Sequence, residues 1–125
     1  MSGTDIPVRV VVVDDQAPFR RAAESVVSRT PGFVVIDTGE SGERAIELCQ
    51  ALNPDLLLLD VQMPGIGGLA AARQVRQLTG TTVVLVSTHR REDLDLDTGA
   101  LFLAKEELTP ASLQQLWATR ADQAH

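Results

Sequence analysis

The sequence predicts a doubly wound α/β fold, formed by a single domain over residues 1–125. Short runs of valine and leucine with almost no polar interruption alternate along the chain with segments whose apolar residues follow helical spacing. An uninterrupted apolar run is typical of a strand that is covered on both faces, as in a parallel sheet. The regular alternation of the two patterns favours right-handed βαβ units.

Five apolar runs are predicted to be strands. The first is VRVVVV at residues 8–13, and the others cover residues 33–36, 56–59, 83–86 and 101–103. Their shortness and their content of β-branched residues and leucine favour strands over helices.

Four segments have the helical pattern, at residues 17–29, 42–52, 69–78 and from Pro110 onward. Phe19 occupies an apolar position in the first of them. Ser41 and Thr109 are predicted N-caps, because a side-chain oxygen at that position accepts hydrogen bonds from free N–H groups of the first helical turn. The proline directly after Thr109 is typical of a first helical residue.

Composition and charge exclude several classes of function. The formal net charge is -6, which argues against nucleic-acid binding because phosphate backbones attract Lys and Arg. The only aromatic residues are three Phe and one Trp, so the chain also lacks the aromatic side chains on which the bases of a single strand stack. Cys49 lies at an apolar helix position and is predicted to be a buried hydrophobic residue instead of a reactive thiol. The chain has neither an apolar stretch of membrane-spanning length nor a signal-peptide pattern, so we expect a cytoplasmic protein.

Polar side chains come directly after the predicted strands. Asp14 and Asp15 follow the first strand, Asp60 the third, Ser87 the fourth, and Lys105 comes after the fifth. Because ligands of doubly wound folds bind where the carboxyl ends of the strands meet, we expect these side chains to converge at that edge. Three carboxylates in one place repel each other unless a cation offsets their charge, and all-oxygen ligation suits Mg²⁺.

The same side chains predict a phosphoryl-transfer site. Asp60, at the end of a run of four leucines, belongs at the rim of the sheet, where its carboxylate can act as a nucleophile and form an aspartyl phosphate. Lys105 supplies a mobile positive charge that can pair first with Asp60 and then with a phosphoryl oxygen. Ser87 supplies a hydroxyl donor to another oxygen. Each residue alone is a weak signal, and their order along the chain is what supports the prediction.

Four segments resemble the motifs of response-regulator receiver domains: VVVVDDQAPFR, LLLLDVQMPGIGG, VVLVST and FLAKEELTPASL. The resemblance runs from about Val8 to Trp117, and its most specific part is DVQMPG with Gly68 after it. It implies a flavodoxin-like, five-stranded parallel sheet of order 2-1-3-4-5. The last segment is most similar to the receivers that usually carry a helix-turn-helix output domain. The chain ends soon after its last predicted helix, so we expect no output domain within these residues and no direct contact with nucleic acid from them. The chain is then either a stand-alone receiver or one part of a longer regulator.

The resemblance also implies roles for the site residues. The residues that would hold Mg²⁺ are Asp14, Asp15, Asp60 and, through its backbone carbonyl, Gln62. Asp60 would be the phosphoacceptor and Lys105 its paired lysine. Ser87 would be the switch hydroxyl, and Phe102 the aromatic residue that changes rotamer on activation.

The predicted function is Mg²⁺-dependent transfer of a phosphoryl group to Asp60 from a phosphohistidine of a sensor histidine kinase or a histidine phosphotransfer protein. Slow self-dephosphorylation would follow, and the modification would switch a surface for an unknown output protein. The alternative is a degenerate receiver that acts as an interaction module and is never phosphorylated. A flavin-binding protein is disfavoured because Asp14 and Asp15 would repel a phosphate. A haloacid-dehalogenase-type phosphatase is disfavoured because Gln16 stands where a second carboxylate is required.

The region between the fourth and fifth strands departs from the family pattern. Only 17 residues separate Ser87 from Lys105, and residues 90–99 are rich in acidic side chains. We therefore expect a shortened or irregular helix there, which puts conventional output in doubt. His89, two residues after Ser87, is either an exposed loop histidine or, together with Gln62, a residue that sets the access of hydrolytic water.

Overall fold

Five parallel strands form one sheet in the computed structural model, which describes residues 6–88 and 100–120. Within these residues the strand order is β2-β1-β3-β4-β5, so the predicted fold class and strand order are confirmed. The strands are β1 (Val8–Val13), β2 (Phe33–Gly39), β3 (Leu56–Asp60), β4 (Thr82–Ser87) and β5 (Leu101–Ala104).

Four α-helices connect or follow the strands in the described part of the chain. They are α1 (Ala17–Ser28), α2 (Gly42–Leu52), α3 (Gly67–Leu78) and α4 (Pro110–Ala118). A short 3-10 turn at Lys105–Glu107 follows β5. No helix within residues 6–88 and 100–120 is long and apolar enough to cross a membrane. The irregular helix predicted within residues 90–99 lies outside the described residues.

Both predicted N-caps are confirmed. The Ser41 hydroxyl accepts a hydrogen bond from the Arg44 N–H at 3.1 Å, and the Thr109 hydroxyl accepts one from the Ser112 N–H at 3.1 Å. Ser112 Oγ accepts in return from the Thr109 N–H at 2.9 Å, which completes a capping box. These bonds satisfy N–H groups that have no acceptor within the helix, so they define where α2 and α4 begin.

The sheet is covered by helices on both faces, which explains its uninterrupted apolar strands. Successive residues of a strand point to opposite faces of the sheet. Val11 and Val13 pack with buried residues of α2 and α3, whereas Val10 and Val12 pack with buried residues of α1 and α4. All residues of β3 are buried. The central strands therefore have few positions at which a polar side chain could reach solvent.

The edge strand β2 is longer than the sequence pattern predicts. The apolar run ends at residue 36, but the strand continues to Gly39 and pairs with β1 on both sides of a register shift at Ile36. An edge strand has a neighbour on one side only, and neither Asp37 nor Thr38 is fully buried. Polar side chains are tolerated at these positions, so they do not end the strand.

Helix α3 begins at Gly67, two residues before its predicted start. Gly67 and Gly68 lie in the first turn, and glycine has low helix propensity. Apolar periodicity therefore does not predict this turn. The Gly68 N–H donates to the Val61 carbonyl at 3.0 Å. A Cβ on Gly68 would overlap the carbonyl oxygen of Asp60 and approach Val61 Cα to 2.7 Å. The start of α3 therefore packs directly on the backbone at the end of β3.

The predicted burial of Cys49 is also confirmed, and Trp117 is a second side chain that packs against the core. Cys49 is fully buried, and burial raises the pKa of its thiol to about 11, so the thiol stays protonated at neutral pH. Trp117 packs against the core on the α4 side of the sheet, with its ring edge-on to Phe33 at 6.3 Å between ring centroids. Both side chains thus serve packing.

Replacing Gly68 with alanine should destabilise the protein, although alanine is the better helix former. The added Cβ falls on the backbone at the end of β3, which cannot move aside without shifting the strand. We expect Gly68→Ala to lower the free energy of unfolding by about 2 kcal/mol or more, measured by urea denaturation. Gly80→Ala is the matched control: nothing lies within 4 Å of its added Cβ, so we expect a change below about 0.5 kcal/mol. Equal stability of the two variants would contradict this packing.

Candidate functional site

Three carboxylates meet at the carboxyl edge of the sheet, as predicted. Asp14 follows β1 and Asp60 is the last residue of β3, and these two strands are neighbours in the sheet. One oxygen each from Asp14, Asp15 and Asp60 lies within 4.8 Å of the others. Asp14 is 6% exposed and Asp60 is 5% exposed. Like charges this close together and this shielded from water repel each other strongly, so the cluster requires positive charge beside it.

Lys105 places a positive charge beside two of these carboxylates. Its ammonium Nζ is 2.8 Å from Asp14 Oδ2 and 3.4 Å from Asp60 Oδ1. The lysine comes directly after β5 and reaches across the end of β4 to the aspartates of β1 and β3. Its side chain is 12% exposed, so both ion pairs are partly shielded from solvent. One ammonium beside three carboxylates leaves an excess of negative charge.

The surroundings of Asp60 raise its pKa above the ordinary value for aspartate. Burial is the largest cause, because it removes the water that stabilises the charged form, and the negative charge of Asp14 adds to the effect. The charge of Lys105 lowers the pKa, as does the Gln62 N–H, which donates to Asp60 Oδ1 at 3.4 Å. Asp60 is therefore poorly stabilised in its ionised form, a property that is common among reactive groups.

Ser87 lies at the same edge, between the strands that lead to Asp60 and Lys105. It is the last residue of β4 and is fully buried. In the sheet register Asp60 is opposite Val86, and Ser87 is opposite Ala104, which directly precedes Lys105. The predicted hydroxyl, ammonium and carboxylates thus all lie at one edge of the sheet.

The roles predicted for three further residues, Gln62, Phe102 and His89, stay predictions. Gln62 is exposed, and its backbone N–H donates to Asp60. This contact does not involve the backbone carbonyl, which is the predicted metal ligand. Phe102 is opposite Leu85 in the sheet and packs, partly buried, against the core beside α2 and α3, so packing alone explains its position. His89 lies outside the described residues.

The sequence patterns assign no role to two further residues of this site, although both end the segment VVVVDDQAPFR. Phe19 is one of the apolar residues at helical spacing in α1, yet it is 40% exposed, and its ring centroid lies 3.9 Å from Lys105 Nζ. Spacing indicates one face of a helix, but not whether the first turn faces the core or the strand ends. Arg20 donates from its guanidinium to the Asp14 carbonyl at 2.8 Å. The signals for both residues are their place in that segment and in the first turn of α1.

Replacing Asp60 with asparagine should stabilise the folded protein at neutral pH when no divalent cation is present. The raised pKa means that the folded state holds the ionised carboxylate less favourably than the unfolded state does, and asparagine removes that charge with little change in shape. We expect the free energy of unfolding at pH 7 to rise, measured by urea denaturation.

The stabilisation of the folded protein by Asp60→Asn should decrease as the pH falls. A carboxyl group with a raised pKa contributes stability that is present below its unfolded pKa and is lost as the pH rises through its folded pKa, so the wild type and Asp60→Asn converge in acid. Urea denaturation across the acid-to-neutral range measures both curves. Glu47→Gln, at an exposed position of α2, controls for the removal of one negative charge. A less stable Asp60→Asn at neutral pH would contradict the raised pKa.

Comparison with known proteins shows a single family. The family model described as response regulator receiver domain matches residues 10–105. The chain is 40% identical over 119 residues to protein-glutamate methylesterase/protein-glutamine glutaminase 3 of Pseudomonas syringae pv. syringae, covering 87% of this chain and 31% of that protein. It is 35% identical over 104 residues to the transcriptional regulatory protein DegU of Brevibacillus brevis, covering 79% of this chain and 44% of that protein. The chain thus spans less than half the length of either relative.

Two solved structures extend the comparison to the fold. The signal receiver domain of the response regulator NarL from Mycobacterium tuberculosis superposes with a TM-score of 0.79 at 35% identity, covering 88% of this chain and 96% of that chain. The receiver domain of the histidine kinase CKI1 from Arabidopsis thaliana, complexed with Mg²⁺, superposes with a TM-score of 0.73 at 26% identity, covering 94% and 92%. The chain therefore belongs to the response regulator receiver domains of two-component systems, a family whose function is phosphorylation-dependent signalling.

Proposed function

We propose that Asp60 accepts a phosphoryl group from a phosphohistidine donor in a reaction that requires Mg²⁺. The observation that carries the proposal is the convergence of three carboxylates and one ammonium at one edge of the sheet, where Asp60 is buried. Phosphoryl transfer depends mainly on positioning the reacting groups and on neutralising their charge. A rigid sheet edge and a charge cluster supply these two properties.

The acidic cluster has the donor set that Mg²⁺ prefers. Receiver domains typically bind this ion at an acidic pocket, and the similar CKI1 receiver domain was solved in complex with it. Asp15 Oδ1 is buried and has no hydrogen-bond partner within the described residues, which suits an atom that binds a cation. The ligands we propose are Asp14, Asp15, Asp60 and the backbone carbonyl of Gln62. When bound, Mg²⁺ supplies positive charge that offsets the carboxylates and the incoming phosphoryl oxygens.

Asp60 is the nucleophile in this proposal. One oxygen of its carboxylate attacks the phosphorus of the donor, so that a P–O bond forms while the P–N bond to the donor imidazole breaks. The electron pair of the broken bond stays on the imidazole nitrogen. Burial leaves the ionised Asp60 carboxylate with little stabilisation from water, which favours its attack on phosphorus.

Lys105 and Ser87 bind the transferred group. The Lys105 ammonium moves from the carboxylates of Asp14 and Asp60 to a phosphoryl oxygen, where its charge stabilises the product. The Ser87 hydroxyl donates to another phosphoryl oxygen, which displaces the end of β4. Phe102 on the neighbouring strand β5 then changes rotamer, so that a local change in charge alters a surface.

The partners follow from the family. Receiver domains interact with histidine kinases or phosphotransfer proteins and with output domains. We propose a sensor histidine kinase or a histidine phosphotransfer protein as the donor here, and a protein as the recipient of the signal. The acidic net charge of -6 disfavours nucleic acid as that recipient. Gln62 and His89 are the residues proposed to tune the hydrolysis of the phosphorylated state.

Incubation with Mg²⁺ and acetyl phosphate, followed by intact mass spectrometry, tests the acceptor. We expect the wild type to gain one phosphoryl group and Asp60→Asn to gain none. Lys105→Ala should react about tenfold more slowly or worse, because the charge that stabilises the transferred group is lost. Glu47→Gln, which removes a negative charge from an exposed position of α2, should react like the wild type. Chelation of Mg²⁺ should stop the reaction in every variant.

These outcomes distinguish a phosphorylated receiver from a degenerate receiver. A wild type that gains no phosphoryl group at any donor concentration would contradict the proposal and favour the degenerate receiver that acts as an interaction module. A gain that persists in Asp60→Asn would show that a different residue accepts the group.

Mg²⁺ should also stabilise the folded protein. A ligand that binds only the folded state raises the free energy of unfolding, here by roughly 1–3 kcal/mol at concentrations well above its Kd. We expect a higher unfolding midpoint for the wild type with Mg²⁺, and the loss of most of this shift in Asp15→Asn. Sodium chloride at equal ionic strength is the control. An equal shift with sodium chloride, or an undiminished shift in Asp15→Asn, would contradict the proposed ligands.

A further inference from the structure

Helix α1 contributes an aromatic side chain to the site that the proposed reaction leaves without a role. Phe19 lies in the first turn of α1, and its ring covers the Lys105 ammonium, with Nζ 3.9 Å from the ring centroid. The same ammonium is paired with Asp14 and Asp60. Lys105 is therefore held between two carboxylates and the face of an aromatic ring.

Hydrophobic burial alone does not explain where this ring lies. Phe19 is 40% exposed and borders a cavity of about 70 Å³. That cavity belongs to the candidate site, because apolar side chains such as Val12 line it together with the charged groups of Asp14, Asp60 and Lys105. Within it the ring lies over the ammonium, where the negative face of the aromatic system attracts the positive charge.

We propose that Phe19 is a positioning residue, which holds the Lys105 ammonium at the phosphorylation site through a cation–π interaction. The inference rests on the proposed function, in which that ammonium passes from the carboxylates to a phosphoryl oxygen. A lysine ammonium is a strongly hydrated charge on a flexible four-carbon chain. The ring covers it from solvent and favours the conformation that keeps Nζ 3.4 Å from Asp60 Oδ1.

An aromatic ring suits this role better than another carboxylate. The ring attracts the charge without a strong hydrogen-bond acceptor, so it competes only weakly with oxygen atoms for the N–H donors of the ammonium. A further carboxylate would compete with the phosphoryl group for those donors and would add to the repulsion among Asp14, Asp15 and Asp60. Phe19 can therefore restrict Lys105 before the reaction and leave it free to bind the product.

The contact is directly measurable because Lys105 is the only lysine of the sequence. Protein labelled with ¹⁵N-lysine therefore gives a single side-chain ammonium signal in NMR spectra. The ring current of Phe19 should shift the proton resonance of this ammonium upfield, and coverage by the ring should slow its exchange with water. Neither readout requires phosphorylation.

Phe19→Leu tests the proposal, because it keeps an apolar, helix-forming side chain and removes the ring. We expect the ammonium signal to lose its upfield shift and exchange faster with water. The rate of phosphorylation by acetyl phosphate with Mg²⁺ should fall about threefold or more, in keeping with the strength of a partly exposed cation–π contact. Phe19→Tyr keeps the ring and should restore both the signal and the rate. Leu78→Ala, which shortens a 54% exposed apolar side chain on α3, should behave like the wild type.

Each result decides the proposal. An unchanged ammonium signal in Phe19→Leu would overturn the contact, and an unchanged or faster phosphorylation rate would overturn the positioning role. Equal losses in Phe19→Leu and Phe19→Tyr would show a packing effect instead of a ring effect. If the wild type itself is never phosphorylated, the proposed function fails and the positioning role fails with it, while the ammonium signal still decides whether the ring binds Lys105.

Discussion

The ion pairs of Lys105 with Asp14 and Asp60 are the interactions on which the rest of this site depends. Two carboxylates that are almost fully buried lie at the ends of adjacent strands, where they repel each other. A lysine that follows a third strand reaches across the sheet edge to both of them. The charge of Lys105 only partly offsets burial and the negative charge of Asp14, so the pKa of Asp60 stays raised.

The parallel sheet makes this concentration of charge tolerable. Each strand that leads to the site is held by neighbouring strands and covered by helices, so the carboxylates cannot move apart without disturbing the core. Gly68 strengthens this restraint, since the start of α3 packs on the backbone of Asp60 and Val61 without room for a side chain. The hydrophobic core thus stabilises an arrangement of charges that electrostatics alone would disperse.

Most of the fold and the acidic site could be predicted from the sequence, because both depend on patterns of neighbouring residues. Uninterrupted valine and leucine runs arise where a strand is covered on both faces, and in a parallel sheet the residue after each run lies at one edge. The end of β2 and the start of α3 were less predictable. Strand β2 continues through Asp37 because an edge strand tolerates polar side chains, and α3 begins with two glycines, which apolar periodicity does not detect. The contact of Phe19 with Lys105 was not predictable, because helical spacing does not distinguish the core from the strand ends.

The order of residues along the chain specifies which chemical groups lie at the site and which strand each of them follows. The contacts between these groups follow from packing: Lys105 pairs with Asp14 more closely than with Asp60, and the ring of Phe19 covers the ammonium. A periodic pattern reports the side of an element on which a residue lies, whereas the distance between two side chains from distant segments depends on the packing of every element between them.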